Sequence, residues 1–478
     1  MTPKPGRPRG RVETSPRSAP RSIGIVGHVG NENLGDESII AAVIQNLRDR
    51  WPDTDIVGFT LNPADTRQRH GIPSYPLRQV TAATRGPHSA GAAAGSAVRP
   101  GSGSAPQGSL RELVKRLPVV GPVSRAVVRC LRQVAVVASE FPFMLASWRH
   151  TAQLDLLVFA GSHQLNDFVG GPWAYPYTVL KWTLSARLGR APVVFLSMGA
   201  GPIDSWLGRR FIRWALLLAS YRSYRDETAK GVAESLQVSG HDRVVPDLAF
   251  SLTVPTPQVA PRRKPLVVGL NPLPLYADYW YLTDGARYEA YVAKLAQFAD
   301  WLVGRGCEVR FIPTQLKVDP AVIQDIRREM TMIGAAEDEY DSHVVDPQVR
   351  NLDELIAALS GVDCMVATRY HGILLSLSLE KPVLAVAYHQ KSRDLMTWLG
   401  LGQYVVSGDT FGVDDLIERF PQLEAEATAI AAVLRRKIPD FQKQVQVQYD
   451  EVFRLLEPTG SRPHRPDEQE SERVGLAG

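Results

Sequence analysis

Three side chains in the later part of the sequence have the types and spacing to hold an anion: Arg369 and His371, two positions apart, and Lys391 behind them. Arginine offers a planar fork matched to phosphate or carboxylate, lysine a compact charge, and histidine a proton that moves near neutral pH. Arg369-Tyr370-His371-Gly372 follows an apolar run ending at Ala367, which reads as a buried strand. It precedes a leucine-rich stretch from Ile373 that reads as a packed helix, so both groups stand at a strand-to-helix turn. Free N–H groups at a helix start favour an anion there. A second apolar run, Val383 to Ala387, reads as the next parallel strand, so Lys391 leaves the same carboxyl edge of the sheet. Open α/β sheets bind ligands at that edge. The combination suits a small, doubly anionic ligand better than a neutral sugar.

The elements that must carry these groups alternate along the chain. Ser22 to Gly27 reads as a first strand, and Ile39 to Leu47 as an apolar helix. Between them Gly27, Gly30 and Gly35 let backbone approach a ligand, but their spacing is not the G-x-G-x-x-G of dinucleotide sites. Asp36 suits a helix N-cap; equally, Asp36 or Glu37 is a carboxylate at the mouth of a cleft, able to take a proton from a hydroxyl. Asp55 to Leu61, Leu154 to Ala160 and Pro192 to Ser197 read as further strands, with His163 just after the second of these. Arg225-Asp226 is either a buried ion pair or part of a ligand site. A second series begins with the strand Leu266 to Leu270, the helix Tyr288 to Val303 and the strand Glu308 to Pro313. Strands and helices in alternation imply an α/β fold with parallel sheets sandwiched by helices.

The 478 residues suffice for two or three domains. The expected division is a disordered basic tail over 1–21, an N-terminal domain over 22–253, a linker over 254–264, a C-terminal domain with closing helices over 265–456, and a disordered tail over 457–478. An Ala/Gly/Ser/Pro-rich stretch at about 81–109 reads as a flexible insertion. The net charge of +4 owes much to arginines in the opening tail, and gives no argument for nucleic acid. Cys130, Cys307 and Cys364 lack metal-ligand spacing and suit a reducing cytoplasm, so no metal is expected. Neither a signal peptide nor a membrane span is evident. Arg125, Arg129 and Arg132 share one helical face within the apolar stretch 110–148. That stretch reads as a helix covering the sheet, with peripheral contact to an anionic membrane surface as the alternative.

Taken together, Asn33-Leu34-Gly35-Asp36-Glu37, Arg225-Asp226, Pro246-Asp247, Arg369-Tyr370-His371-Gly372 and the run Pro382 to Lys391 resemble, in order, the motifs of the polysaccharide pyruvyl transferase family. The resemblance implies two Rossmann-like domains in a GT-B-like arrangement, with phosphoenolpyruvate as donor, a saccharide or lipid-linked saccharide as acceptor, and no further cofactor. It assigns Arg369 and His371 to the donor. Lys391, Arg225, Asn33, Gly35 and His163 join Arg369 as candidate binding residues; His371 is the candidate acid, and Asp36 or Glu37 the base. Where the family commonly carries a glycine triplet, this chain has Ala160-Gly161-Ser162-His163. Two other functions fit such a fold: a nucleotide-sugar glycosyltransferase, and a non-catalytic binding protein. Retaining glycosyltransferases often hold ribose and sugar with two glutamates eight apart, and here the position eight after Glu380 is Tyr388.

Overall fold

The computed structural model of the chain describes residues 22–27, 30–79, 140–168, 170–240, 242–255, 265–280, 283–331 and 343–456. Both tails, the insertion at 81–109, most of the linker and the face of Arg125, Arg129 and Arg132 lie outside them.

Two parallel sheets organise the protein. The first contains β1 (Ser22–Val26), β2 (Asp55–Thr60), β3 (Ser74–Pro76), β4 (Leu156–Ala160), β5 (Val193–Met198), β6 (Tyr221–Tyr224) and β7 (Arg243–Val244), in the order β3-β2-β1-β4-β5-β6-β7. The second contains β8 (Val267–Asn271), β9 (Glu308–Phe311), β10 (Val344–Val345), β11 (Cys364–Ala367), β12 (Val383–Ala387) and β13 (Val405–Ser407), in the order β10-β9-β8-β11-β12-β13. Every residue of β4, β5, β8, β11 and β12 is buried, because helices cover both faces of each sheet. That double burial explains why these strands are continuous apolar runs in the sequence. Each order reverses once, between β1 and β4 and between β8 and β11, and a crevice opens at each such switch point.

In the first half the helices are α1 (Leu34–Arg50), α2 (Pro63–His70), α3 (140–151), α4 (Tyr175–Leu188), α5 (Trp206–Leu217) and α6 (Glu227–Ser235). In the second they are α7 (Gly285–Gly304), α8 (Asp319–Glu329), α9 (Leu352–Ser360), α10 (Tyr370–Ser378), α11 (Gln390–Trp398), α12 (Val413–Ala425) and α13 (Ala427–Arg454). One apolar core runs from the α1 side of the first sheet through the whole second half; the other fills the α4 and α5 side of the first sheet. Helix α13 returns to the first half, where Phe441 meets Phe250 edge-on at 5.2 Å and Gln448 Nε2 donates to Ser197 Oγ at 3.3 Å.

One local expectation needs correcting. Asn33, not Asp36, is the N-cap of α1, its side-chain oxygen accepting from Gly35 N at 3.2 Å. The helix therefore starts earlier than the apolar pattern shows, and Asp36 falls in its first turn, where a carboxylate is favoured by the helix dipole. The same loop joins the two halves: Leu34 N donates to Thr314 O at 2.8 Å and Leu316 N to Glu32 O at 2.9 Å, a short antiparallel clasp around Asn33 and Gln315.

Candidate active site

The two switch points face each other, and polar groups from both sheets meet between them. From the first half come the start of α1, His163 after β4, the turn Gly199 to Gly201 after β5, and Arg225 after β6. Tyr370 and His371 arrive at the start of α10, and Lys391 in the first turn of α11. The approach is close enough to dictate side-chain size. A Cβ on Gly35 would stand 2.4 Å from His371 Nδ1, and one on Gly199 would stand 2.5 Å from an Arg225 terminal nitrogen. Side chains larger than hydrogen at these two positions would push the histidine and the arginine out of place.

Arg225 is the centre of the arrangement. One terminal nitrogen donates to Asp247 Oδ2 at 3.1 Å, and Asp226 lies 3.7 Å from Nε. Its guanidinium sits 5.0 Å from the centre of the Tyr370 ring, and Lys391 Nζ is also 5.0 Å from that ring. Burial works against the Arg225 charge, but Tyr370, Asp247 and Asp226 more than offset it, so its pKa is raised. Asp247 caps the short 3-10 turn Leu248–Ser251 through Oδ1, and its Oδ2 lies 3.8 Å from His371 Nε2, too far for a hydrogen bond.

Several groups here lack partners. Arg225 Nε, His371 Nε2 and His163 Nδ1 are buried and make no hydrogen bond. Lys391 Nζ makes no hydrogen bond or ion pair among the described residues. Buried polar groups in folded proteins are nearly always satisfied, so three groups without hydrogen bonds beside the Lys391 ammonium make this cleft the candidate site. Cations and carboxylates both act on these groups. Burial first, then Arg225, push Lys391 down to about 8, with Asp36, Asp247 and Asp226 acting in the other direction. His163 falls well below the ordinary histidine value through burial, then Lys391 and Arg225. His371 is also lowered, chiefly by burial, while Asp247 and Asp36 oppose the shift. The unliganded cleft therefore holds neutral imidazoles beside two cations, and an anion entering it would draw protons onto those imidazoles.

The sequence-predicted residues divide on this geometry. His371, Lys391, Arg225, His163 and Asp36 share the cleft, with Asn33 Nδ2 donating to Asp36 Oδ2 at 2.8 Å and Gly35 making room for His371. Two others make protein contacts of their own. Glu37 is 1 % exposed; its Oε1 accepts from Gly30 N at 2.9 Å and its Oε2 meets His70 Nε2 at 2.6 Å, so it anchors the loop instead of facing an acceptor. Arg369 turns to the fully buried Asp319, with Nε donating to Oδ1 at 3.1 Å and a terminal nitrogen donating to the same oxygen and to Gln315 Oε1. Its guanidinium also lies 5.2 Å from the Trp280 ring centre. Asp319 Oδ2 in turn accepts from Thr314 N at 3.0 Å and Gln315 N at 2.7 Å, so Arg369 braces the clasp. Sequence reasoning missed Asp247 as a site residue, although Pro246-Asp247 was among the recognisable motifs. Asp319, Gln315 and His70 carried no local signal.

Two α/β units with opposed switch points and a ligand cleft between them define the GT-B class of folds. Solved structures with the same architecture include MnaA from S. aureus with UDP (10% identity, 94% of this chain and 100% of that chain, TM-score 0.51). A glycosyltransferase from Rickettsia africae (9%, 91% and 98%, 0.51) and UDP-GlcNAc 2-epimerase from Neisseria meningitidis bound to UDP-GlcNAc (13%, 91% and 100%, 0.50) are similar to the same extent. At such identities the likeness shows the fold alone. No curated protein matches the sequence. Residues 33–390 match the family described as polysaccharide pyruvyl transferase, and the chain belongs to that family.

Proposed function

We propose that the protein transfers a pyruvyl group from phosphoenolpyruvate to two hydroxyls of a saccharide, closing a cyclic ketal and releasing phosphate. The observation that carries this reading is the set of orphaned and uncompensated groups in the cleft, Arg225 Nε, His371 Nε2, His163 Nδ1 and Lys391 Nζ, which suit a compact donor with two anionic ends. Lys391 and Arg225 bind the phosphate and carboxylate. The donor phosphate raises the His371 pKa against the burial that depresses it, so the acid is charged when the donor is bound. His371 then protonates C3 as the first acceptor hydroxyl adds to C2, and Asp36 takes the hydroxyl proton. The C2–O bond to phosphate breaks, the second hydroxyl adds to C2 with loss of its proton, and the ketal closes. Arg369, committed to Asp319, acts as a positioning residue for the clasp.

Thermal stabilisation by phosphoenolpyruvate, set against a panel of nucleotide sugars, tests the donor without knowledge of the acceptor. A ligand that binds only the folded state raises Tm by mass action, adding about 2.7 kcal/mol of stability at a hundredfold excess over Kd. The expected result is stabilisation by phosphoenolpyruvate alone, roughly halved in Lys391→Ala at the same donor concentration. Stabilisation by a nucleotide sugar instead would overturn the reading in favour of a glycosyltransferase. Glu380 argues against that alternative, because its carboxylate pairs with Arg435 on the surface.

A further inference from the structure

Eleven of the sixteen exposed large apolar side chains among the described residues lie between Phe141 and Leu217. They are concentrated on three neighbouring helices. Glu140 of α3 pairs with Lys181 of α4 at 2.9 Å, and the Tyr177 ring of α4 lies 6.2 Å from Phe211 of α5, so α3, α4 and α5 lie side by side over one face of the first sheet. Each buries side chains against the first sheet, yet Phe141, Leu188 and Trp206 are 69%, 74% and 71% exposed on the outer side. Apolar surface of this extent, shared by adjacent helices, is unusual on a protein that meets only water.

Charge distinguishes among possible occupants. Neither α4 nor α5 contains an acidic residue, and the one acid of α3, Glu140, is neutralised by Lys181. Arg149, Arg187, Arg190 and Arg210 are exposed around the apolar residues and have no ion pair among the described residues. A second copy of this face would bring cation against cation. Residues 110–139, which precede α3, carry six lysines and arginines against the single acid Glu112, and supply no counter-charge. Tryptophan, phenylalanine and leucine ringed by arginine match instead the boundary of a bilayer, where aromatic rings sit at headgroup level and cations meet phosphates.

We propose that the outer face of α3, α4 and α5 docks the protein on a lipid bilayer containing anionic phospholipid. The rim of this face reaches the cleft, for the exposed Phe168 ring lies 6.2 Å from the His163 ring. A docked protein would thus open its cleft beside the headgroups, where a lipid-linked saccharide is presented. The surface stands independently of the donor chemistry, since none of its residues belongs to the basic cluster.

Sedimentation of the full chain with vesicles of phosphatidylcholine, with or without phosphatidylglycerol, tests the proposal, with tryptophan fluorescence as a second readout. The expected result is binding to the anionic vesicles with a blue shift. Arg149→Glu/Arg187→Glu/Arg210→Glu should weaken it by about a hundredfold, each cation contributing several-fold. Leu188→Ser/Trp206→Ser should abolish the shift while Tm stays unchanged. Absence of binding to anionic vesicles overturns the proposal. So does binding lost only in Arg125→Glu/Arg129→Glu/Arg132→Glu, which would place the contact in the preceding segment. A fall in Tm or a change of oligomeric state in Leu188→Ser/Trp206→Ser also overturns it, since the face would then be covered by protein.

Discussion

Arg369 and Lys391 leave adjacent strands of one sheet, β11 and β12, and end in opposite circumstances. Arg369 reaches Gln315 and the buried Asp319 and spends its hydrogen bonds on them, whereas Lys391 stops over the Tyr370 ring and makes no ion pair among the described residues. A cation with a committed buried partner holds the architecture. A cation held near neutralised histidines, at a depressed pKa, has its interaction still to make. Residue type is the same in both cases, a base at a strand end, so only the partner distinguishes support from site.

The strongest test lies on the unsatisfied side. His371→Ala should lower turnover by about 10²–10⁴-fold, the usual contribution of a positioned acid, with Tm nearly unchanged because Nε2 has no hydrogen bond to lose. Single-turnover phosphate release measures this, and wild-type rates would remove His371 from the chemistry. Arg369→Ala tests the other side. Leaving Asp319 buried without its partner should cost about 3–5 kcal/mol in urea unfolding, and adding Asp319→Ala should recover part of it. If Arg369→Ala kept its stability and lost only donor affinity, the contrast would collapse and Arg369 would act as a donor ligand.

Lys391→Ala has the smallest expected effect: donor affinity about tenfold weaker, from loss of one charge-assisted contact, with no loss of stability. The sign follows from its pKa. In the folded protein Lys391 titrates near about 8, below its ordinary value of 10.5, so the fold disfavours its charge below that point. The unfolded chain holds the proton up to the higher value; this group's penalty is therefore full below about 8 and is relieved as pH rises toward 10.5. With Lys391 as the proposed donor ligand, donor binding should run the other way and weaken as pH climbs past about 8, where the ammonium is lost. Calorimetric titration across that range should show the alkaline flank in the wild type and its displacement upward in Lys391→Arg.

The sequence disclosed what is local. β11, β12 and the turn Arg369 to Gly372 were legible because a doubly buried strand is an uninterrupted apolar run, and Val383–Ala387 was placed to the residue. β3 is three residues with a proline, and gives no run to read. The start of α1 was misplaced because Asn33 caps it through a polar residue outside the apolar pattern. Glu37 looked equivalent to its neighbour Asp36, but the helical turn between them points one into the protein, toward His70, and the other toward the cleft. Asp319, distant in sequence from Arg369, had no feature to pair it with that arginine before the fold brought them together.

The clasp between the halves also sets how the cleft can breathe. The Leu34 and Leu316 amides are bonded across it, so any rotation that widens the entrance either pivots about these two bonds or breaks them. Their exchange with solvent deuterium is therefore a clock for opening, placed beside Asp36 at one end and Asp319 at the other. Slow exchange of the pair would mean that the halves open by swivelling about this clasp without parting there.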